Sequence, residues 1–389
     1  GQRKKEGENN MIYKDFQELK LFALGLGAMR LPLIEGGSDA DIDEKAAEEM
    51  IDYAMKQGIN YYDTAFGYHN GQSEIVTGRI LGNYPRDSYY LATKFPGYDL
   101  SNMGKVEEIF EEQIRKCGVE YFDFYLFHNV YEKNIDPYLD EKNGILKYLL
   151  QQKENGRIRH LGFSCHGRYD TLKRFLDAYG EHMEFCQIQL NYLDWKLQDA
   201  KAKVELLNER KIPIWVMEPL RGGKLAVLSE ENSRKLKALR PEEEDPAWGF
   251  RFLQSIPGVT MVLSGMSNMK QLKDNIETYK ESKPLTEKEM NALMDVTDSM
   301  LDILPCTACR YCTSRCPKHL DIPTLLSLYN ESRYHTGLIT RNAVDALDED
   351  KRPDACIGCR SCEAVCPQQL KISEAMADFA EKLKQPADL

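Results

Sequence analysis

The sequence has 389 residues, of which 42% are hydrophobic and 29% are charged. That composition is typical of a globular protein with a large hydrophobic core. The formal net charge of −11 argues against a general nucleic-acid binder or an anionic-membrane binder, because both classes need a positive field. No apolar run approaches the roughly 18 residues of a transmembrane helix, so we predict no membrane association.

The first segment, residues 1–10, is polar and lacks the apolar stretch of a secretory signal. We predict that it is an N-terminal extension or tag remnant and that Met11 is the biological start. The chain contains 11 cysteines, most of them after residue 305. An odd number of cysteines at short, clustered spacings favours metal ligation in a reducing compartment over a disulfide framework. We therefore predict a cytoplasmic protein.

Short apolar runs rich in β-branched and aromatic residues recur along the first 300 residues. They lie at residues 23–31, 61–65, 89–95, 122–128, 158–165, 185–191, 212–219 and 258–265. Amphipathic stripes that predict helices separate them, for example from Ile42 to Ala54 and from Val106 to Ile114. Eight strands with intervening helices predict an α/β fold, a (β/α)8 TIM barrel, over residues 11–300. A doubly wound sheet is the alternative, although no G-x-G-x-x-G opens a helix after the first strand.

Four polar side chains stand at or just beyond the ends of the predicted strands, where a barrel places its catalytic groups. Asp63 ends the second strand, Tyr68 lies in the loop after it, Lys94 ends the third strand and His128 ends the fourth. Taken singly, three of them have a purely structural interpretation: Asp63 as a loop cap, Lys94 as a solvated strand end and His128 as a core histidine. Together, the segments DTAFGYHNGQSE, LATKF and YLFHN resemble the Asp–Tyr–Lys–His tetrad of the aldo-keto reductases. The resemblance covers about residues 11–300 and implies an oxidoreductase for a small carbonyl or alcohol substrate.

The chemistry of carbonyl reduction explains why these residue types belong together. The reaction needs a hydride and a proton for the carbonyl oxygen. A tyrosine with a pKa near 10 is a poor acid at neutral pH, and a nearby Lys94 ammonium is expected to lower that pKa. Asp63 is expected to pair with Lys94. His128 is expected to hydrogen-bond the substrate carbonyl, where negative charge develops.

The resemblance also implies a nicotinamide cofactor, NAD(P)(H), and its contact residues. These are Ser164 and Gln187 for the carboxamide, Met217 at the ring-stacking position, Pro219, Leu220 and Gly222 for the pyrophosphate, and Ser264, Gly265, Gln271 and Asn275 for the adenosine end. The family commonly has Asn after the serine, where this chain has Cys165. No positive charge stands at Gly265, Met266 or Gln271, which match the positions that hold a 2′-phosphate. NAD is therefore favoured over NADP.

The cysteines of the last 90 residues follow one spacing twice. Each set reads C-x2-C-x2-C-x3-C-P, and the second lies 50 positions after the first, as 356 − 306 shows. This is the ligand run of bacterial two-cluster ferredoxins, in which the fourth cysteine of each run ligates the other cluster. We assign Cys306, Cys309, Cys312 and Cys366 to one 4Fe–4S cluster, and Cys356, Cys359, Cys362 and Cys316 to the second. Zinc is the alternative, but zinc sites usually use separate C-x2-C pairs.

Residues 301–389 thus resemble a small, mainly helical ferredoxin-like domain fused to the barrel. Hydride transfer moves two electrons, whereas a cluster normally moves one, so a direct relay needs an adaptor such as a flavin. Three hypotheses follow. The clusters exchange electrons with the barrel and with a ferredoxin or flavodoxin, or they are structural or redox-sensing parts of a nicotinamide-dependent reductase, or the chain is an electron carrier without hydride chemistry. The complete tetrad disfavours the last.

Overall fold

The computed structural model describes residues 12–387, so the extension predicted at residues 1–10 and the start predicted at Met11 lie outside the described residues. The strands are β1 Tyr13–Phe16, β2 Leu19–Phe22, β3 Leu24–Gly27, β4 Tyr61–Asp63, β5 Tyr90–Phe95, β6 Phe122–Val130, β7 Ile158–Cys165, β8 Cys186–Gln189, β9 Ile214–Met217 and β10 Val259–Ser264.

The helices are α1 Glu44–Gln57, α2 Gln72–Leu81, α3 Val106–Cys117, α4 Ile135–Leu139, α5 Ile145–Glu154, α6 Tyr169–Tyr179, α7 Asp194–Leu197, α8 Ala200–Glu209, α9 Glu230–Lys237, α10 Asp245–Gln254, α11 Met269–Thr278, α12 Glu287–Met300, α13 Ile322–Tyr334, α14 Leu338–Asp345 and α15 Ile372–Lys384. Among the described helices, none combines the length and the apolar character that crossing a membrane requires.

Strands β3 to β10 form a closed parallel barrel in chain order, and β10 pairs back onto β3. All eight strands lie within or across the runs predicted from the sequence, so the (β/α)8 prediction is confirmed and the doubly wound alternative is wrong. Helices such as α1 and α3 each bury one apolar face against the barrel, with Asp43 capping the first turn of α1. The barrel positions every strand end at one mouth.

A short antiparallel hairpin, β1–β2, precedes the barrel and was missed by the sequence prediction. It lies at the end opposite the mouth, because β2 runs directly into the start of β3. Phe16 of the hairpin is buried inside the barrel, with ring centroids 5.1 Å from Trp215 and 5.6 Å from Phe124. The hairpin therefore closes the bottom of the barrel.

Near that closed end, Glu184 is held by three hydrogen bonds. Its carboxylate accepts them from His160 at 3.0 Å, from Gln17 at 2.9 Å and from the Leu161 amide at 2.6 Å. Burial acts to raise the pKa of Glu184, but these bonds and the Lys153 ammonium at 3.1 Å lower it to about 2. A carboxylate with a depressed pKa stabilises the folded state above its unfolded-state pKa and loses that stabilisation as the pH falls.

We expect Glu184→Gln to lower the free energy of unfolding by roughly 2–3 kcal/mol at neutral pH. The loss should shrink between an unfolded pKa of 4.5 and the folded value of about 2, where the wild-type carboxylate becomes protonated as well. Urea unfolding at neutral pH and at about pH 3 measures both values. Glu181→Gln is the control, since that side chain is exposed; an equal effect of the two variants would contradict the prediction.

The region after α12 has a hydrophobic core of its own. Its buried residues run from Cys312 to Phe379, whereas those of the main barrel core run from Phe22 to Val296. The two halves of this region repeat each other: α15 begins 50 positions after α13, as 372 − 322 shows. Residues in the left-handed region recur at the same spacing, at Ala308 and Gly358 and at Arg310 and Arg360. The sequence repeat is therefore a structural repeat, and the boundary near residue 300 stays a prediction.

Candidate active site and cluster cavities

The tetrad residues of the sequence prediction meet at the barrel mouth. Asp63 ends β4, Lys94 lies near the end of β5, and Tyr68 opens a turn after β4. The Lys94 ammonium donates to both Asp63 carboxylate oxygens at 2.6 and 2.8 Å, to the Thr64 carbonyl at 2.7 Å and to the Tyr68 hydroxyl oxygen at 3.3 Å. The ring of His128 lies edge-on to that of Tyr68, with centroids 6.0 Å apart.

Lys94 is the centre of this arrangement, and its side chain is completely buried. Burial alone acts to lower the pKa of Lys94, but the charge of Asp63 and the hydrogen bonds outweigh it, and the pKa is raised. A buried ammonium is stable only when it is paired and hydrogen-bonded, and this one has a partner for every proton. Lys94 thus places a fixed positive charge beside the Tyr68 oxygen.

Lys94 lowers the pKa of Tyr68, as expected from the sequence, but the net shift of that pKa is upward. Burial raises the pKa of Tyr68 more than the Lys94 charge lowers it, and Asp63 adds to the increase. Tyr68 is therefore a neutral phenol at physiological pH. Because its oxygen accepts a hydrogen bond from Lys94, its own proton is free to be donated elsewhere, and Lys94 can stabilise the phenolate that remains.

His128 is neutral, because burial and the nearby charge of Lys94 lower its pKa well below the usual value. Its Nδ1 atom is buried without a partner among residues 12–387. A second aromatic side chain, Tyr98, was not predicted: its ring lies edge-on to His128 at 5.1 Å. Its position four residues after Lys94, in the loop after β5, was the available signal. Tyr98 and His128 form one wall of the mouth.

The residues expected to hold a carboxamide lie side by side on β7 and β8, in register with each other. The Gln187 amide donates to the Met217 sulfur at 3.7 Å, while its oxygen is buried and has no partner in the described chain. The Ser164 oxygen accepts from the Asn129 amide at 2.8 Å, which leaves the hydroxyl proton available. These free groups fit an amide ligand. Cys165 is buried, and burial raises its pKa to about 12, so it is an inert packing residue.

The loop after β9 departs from the expected open phosphate cradle. The Gly222 amide already donates to the Glu218 carboxylate at 2.6 Å, and the same carboxylate accepts from Arg30 at 3.1 Å. Pro219 is buried, and Leu220 lies against Gly249 of α10. Gly222 has a φ of +65°, which suits glycine. Arg30, which the sequence places after the first strand as an ion-pair or phosphate-binding candidate, and Glu218, which was not expected here, therefore define this part of the mouth.

The loop after β10 is organised by its own side chains. Asn268 caps α11, Gln271 accepts from the Ser267 amide at 2.9 Å, and Asn275 donates to Ser264 at 3.4 Å. Gly265 is exposed and lies beside the Arg30 stem. The two neighbouring lysines are engaged elsewhere, Lys270 with Asp274 at 2.7 Å and Lys273 over the ring of Tyr53.

The eight cysteines of the last region line two cavities. The first cavity is lined by Cys306, Cys309, Cys312 and Cys366, and the second cavity by Cys316, Cys356, Cys359 and Cys362. Each thus takes three cysteines from one motif and the fourth from the other. Ile372 lines both, so the two cavities are neighbours.

The cavities fit iron–sulfur clusters. The amides of Ala308 and Gly358 point at the sulfurs of Cys306 and Cys356, each at 3.4 Å, a contact that suits a cluster-bound thiolate. Zinc–sulfur bonds of about 2.3 Å would draw four sulfurs tightly together. Within residues 12–387 no group of three or more His, Cys, Asp or Glu side chains is arranged for a single ion. Each cavity instead offers four cysteines, one for each iron of a cube.

Comparisons with known protein families match both parts of the chain, the barrel and the C-terminal region. The sequence profile of the aldo/keto reductase family matches residues 23–248, more than half of the chain, and that of a 4Fe–4S dicluster domain matches residues 305–371. The chain belongs to the aldo/keto reductase family. It is an oxidoreductase by family, and it carries a C-terminal 4Fe–4S dicluster domain. The family generally uses NAD(P)H.

The curated relatives of this aldo/keto reductase are distant. A probable aldo-keto reductase of Glycine max is 29% identical over 57% of this chain and 64% of its own length. An NADH-specific methylglyoxal reductase of Escherichia coli is 27% identical over 54% of this chain and 66% of its own length. The chain thus spans slightly less than two thirds of these two relatives. An uncharacterized oxidoreductase of Bacillus subtilis is 25% identical over 72% of this chain and 94% of its own length.

Solved structures show the same fold. An aldo-keto reductase of Bacillus halodurans in its holo form has a TM-score of 0.59 at 24% identity, covering 74% of this chain and 96% of its own. A thermostable aldo-keto reductase in complex with the inhibitor epalrestat has a TM-score of 0.58 at 20% identity, covering 74% of this chain and 100% of its own. The shared part is the barrel, which supports the fold assignment.

The dicluster domain of this aldo/keto reductase packs against the barrel mouth. Glu331 of α13 accepts from Gln198 at 2.8 Å and lies 3.5 Å from the Arg221 guanidinium. Arg221, in the loop after β9, donates to Asp194 at 3.0 and 3.3 Å and lies over the ring of Tyr334. Sequence reasoning missed this network, because its members are far apart in the chain. The domain therefore borders the site.

The exchange of cysteines between motifs makes a sharp prediction about iron content. Because Cys306 and Cys366 line one cavity, the double variant C306A/C366A should lose one cluster and keep about half of the iron. The double variant C306A/C316A removes a ligand from each cavity and should lose nearly all of it. Iron and sulfide counts after anaerobic purification measure this. The opposite ranking of the two variants would show that each motif binds its own cluster.

Proposed function

We propose that the protein catalyses nicotinamide-dependent reduction of a small carbonyl compound, or oxidation of the corresponding alcohol, at the barrel mouth, and exchanges electrons through two 4Fe–4S clusters. The observation that carries the proposal is the fully buried Lys94, bonded at once to Asp63 and Tyr68. A buried ion pair is costly to maintain and contributes little to stability, so its position beside a phenol at the mouth supports a catalytic use.

In the proposed mechanism each tetrad residue has one task. When bound, the nicotinamide supplies the hydride. Tyr68 donates its proton to the substrate oxygen, since its phenol is neutral and its proton is free. Lys94 stabilises the resulting phenolate, and Asp63 keeps Lys94 charged and directed. Neutral His128 donates a hydrogen bond to the substrate oxygen as negative charge develops there.

The cofactor contacts are proposed on the same basis. Gln187, with its free buried oxygen, and Ser164, with its free proton, are proposed to hold the carboxamide beside Met217. The loop from Pro219 to Gly222 is proposed to cover the pyrophosphate, and Ser264, Gly265, Gln271 and Asn275 the adenosine end. Arg30, whose ion pair with Glu218 is half-exposed, is available to turn to a phosphate.

For the dicluster domain, we propose residues 301–389 as its extent, a flavin as a candidate adaptor between hydride and single-electron chemistry, and a ferredoxin or flavodoxin as the partner. A cytoplasmic location is proposed from the reduced cysteines. The alternative is that the clusters are structural, which the buried contact between Arg221 and Glu331 favours, because that contact ties the domain to the barrel.

The proposal is tested with anaerobically purified holoprotein, after extraction and identification of any bound nucleotide or flavin. A panel of aldehydes and ketones is mixed with NADH or NADPH, and loss of reduced nicotinamide is followed together with cluster absorbance in a stopped-flow instrument. Carbonyl-dependent oxidation of nicotinamide supports the barrel chemistry, and cluster reduction in the same mixture supports the relay. Turnover without any cluster response supports the structural alternative, and absence of turnover with every carbonyl contradicts the proposal.

We predict a preference for NADH over NADPH of about tenfold or more in dissociation constant, since a missing phosphate contact is worth over 1 kcal/mol. No lysine or arginine stands at Gly265, Met266 or Gln271, and Lys270 is held by Asp274. The E. coli relative is named NADH-specific, which agrees. Fluorescence titration with both nucleotides measures the ratio, and Gln271→Arg should shift it toward NADPH. Tighter binding of NADPH to the wild-type protein would refute the preference.

A further inference from the structure

The dicluster domain carries a patch of exposed side chains around its second cavity. Lys318, Ile357 and Arg360 line that cavity together with its cysteines. Arg315 immediately precedes Cys316, which lines the same cavity. We call these four residues the basic face. All four side chains belong to residues that are exposed to solvent.

The charge of the basic face is opposite to that of the chain as a whole. The chain has a net charge of −11, yet residues 303–320 contain Arg310, Arg315 and Lys318 and no acidic residue. Arg310 is paired with Asp321 at 3.1 Å. In the described part of the chain, Arg315, Lys318 and Arg360 form no ion pair.

Two acidic residues lie close in sequence to the cysteines of the second cavity. Glu363 is occupied, since it accepts hydrogen bonds from the amide and the hydroxyl of Ser373, each at 3.0 Å. Asp354 is exposed and sits two residues before Cys356. The second cavity itself is lined by the two cations Lys318 and Arg360 and by no acidic residue, which makes its rim positive. Cations without partners near a surface attract an oppositely charged protein and orient it as it approaches.

The face also offers an apolar contact. Ile357 is 61% exposed and lines the second cavity together with Lys318 and Arg360. A small apolar centre with a charged rim is the usual composition of a transient protein interface. A surface that bound only small ions would gain no affinity from an exposed apolar side chain.

We propose that the basic face is the docking site for an acidic one-electron carrier protein, of the ferredoxin or flavodoxin class. The occupant is chosen for two reasons: its negative charge complements the unpaired cations, and a carrier seated there lies directly over the four cysteines of the second cavity. This rests on the electron exchange put forward under Proposed function. The first cavity is the one nearer the barrel along α13, since Leu326 lines it and Glu331 contacts Arg221.

Binding to the holoprotein tests the docking site. A purified two-cluster ferredoxin and a purified flavodoxin, both strongly acidic, are titrated into it by calorimetry at low and at physiological ionic strength. We expect binding that weakens as salt rises, and a loss of about tenfold or more in affinity for K318E/R360E. Lys14→Glu is the matched control, because Lys14 is exposed on β1 at the opposite end of the barrel. It should bind as the wild type does.

Iron content checks that each variant keeps its clusters. Arg315→Glu, which does not line a cavity, is the second variant if K318E/R360E loses iron, and it should weaken binding in the same direction. Equal affinity of wild type and charge-reversed variants, absence of binding at low salt, or self-association of the holoprotein through this face would each overturn the proposal. Turnover of the wild-type protein with NADH and a carbonyl compound is measured separately, so failure of docking and failure of the proposed barrel chemistry are distinguished.

Discussion

Replacing Tyr68 by Phe should lower kcat for carbonyl reduction by about 10²–10⁴-fold, the usual contribution of a positioned general acid. The variant removes a single oxygen and keeps the ring that packs edge-on against His128. The Lys94 ammonium keeps its bonds to Asp63 and to the Thr64 carbonyl, so the buried pair survives. Single-turnover kinetics with bound nucleotide measures hydride transfer directly, and the nucleotide dissociation constant should change by less than about threefold, under 1 kcal/mol.

The control for this experiment is Tyr98→Phe. Tyr98 contacts the other edge of His128 and is 38% exposed, but it has no hydrogen bond to Lys94. Its loss should leave kcat within about tenfold of the wild type, because no proton is supplied from that position. A rate for Tyr68→Phe close to that of the wild type would remove Tyr68 from the acid role. An equal loss in both variants would indicate a general effect on the wall of the mouth.

The pH dependence of kcat tests the role of Tyr68 independently. Burial raises the pKa of Tyr68, so the phenol stays protonated through neutral pH and carbonyl reduction should lose activity only on the alkaline side. His128 is already neutral, because burial lowers its pKa, and should add no break near its usual pKa. A loss of kcat in the acidic direction near neutrality would contradict this assignment.

How much of this site could be predicted depends on the distance over which each interaction acts. The eight barrel strands could be predicted because strand formation depends on local runs of β-branched and aromatic residues. The grouping of the cysteines around two cavities could be predicted because the spacing of cluster ligands restricts which cysteines can share a cluster. The direction of the Tyr68 pKa could not, since it depends on how deeply the fold buries the phenol. The Gly222 amide was expected to be free, but the side chain of Glu218 reaches it.

The interface between barrel and dicluster domain is the clearest case of information that the sequence pattern does not contain. Arg221 and Glu331 are 110 positions apart, as 331 − 221 shows, and no sequence pattern pairs them. Arg221 lies within the segment from Pro219 to Gly222 that is proposed to cover the pyrophosphate, and Glu331 lies in α13, between the two cysteine motifs. Their contact links the phosphate loop to the domain that holds the clusters. Only the three-dimensional fold brings these two residues together.

Replacing Arg221 by Met should lower the free energy of unfolding by about 3–5 kcal/mol, because it removes the guanidinium that pairs with the buried carboxylates of Asp194 and Glu331. Arg221 is 7% exposed and is bonded to Asp194 at 3.0 Å. Burial already raises the pKa of Glu331, and Arg221 opposes that rise. Without Arg221 the folded-state pKa rises further, so the destabilisation should grow as pH increases and diminish as the carboxylates become protonated. Urea unfolding of the holoprotein across this pH range measures it.

Arg30→Met is the matched control, since Arg30 also pairs with one carboxylate at the mouth but is half-exposed. A pair of that kind contributes about 0–1 kcal/mol, so the two variants should differ severalfold. The double variant R221M/E331Q should recover part of the loss, because it removes one of the unpaired charges, and the cycle yields the coupling between the domains. If Arg221→Met and Arg30→Met are equally stable, the network is not buried in solution. If Glu331→Gln raises the nucleotide dissociation constant while Glu184→Gln does not, the dicluster domain holds the phosphate loop in place.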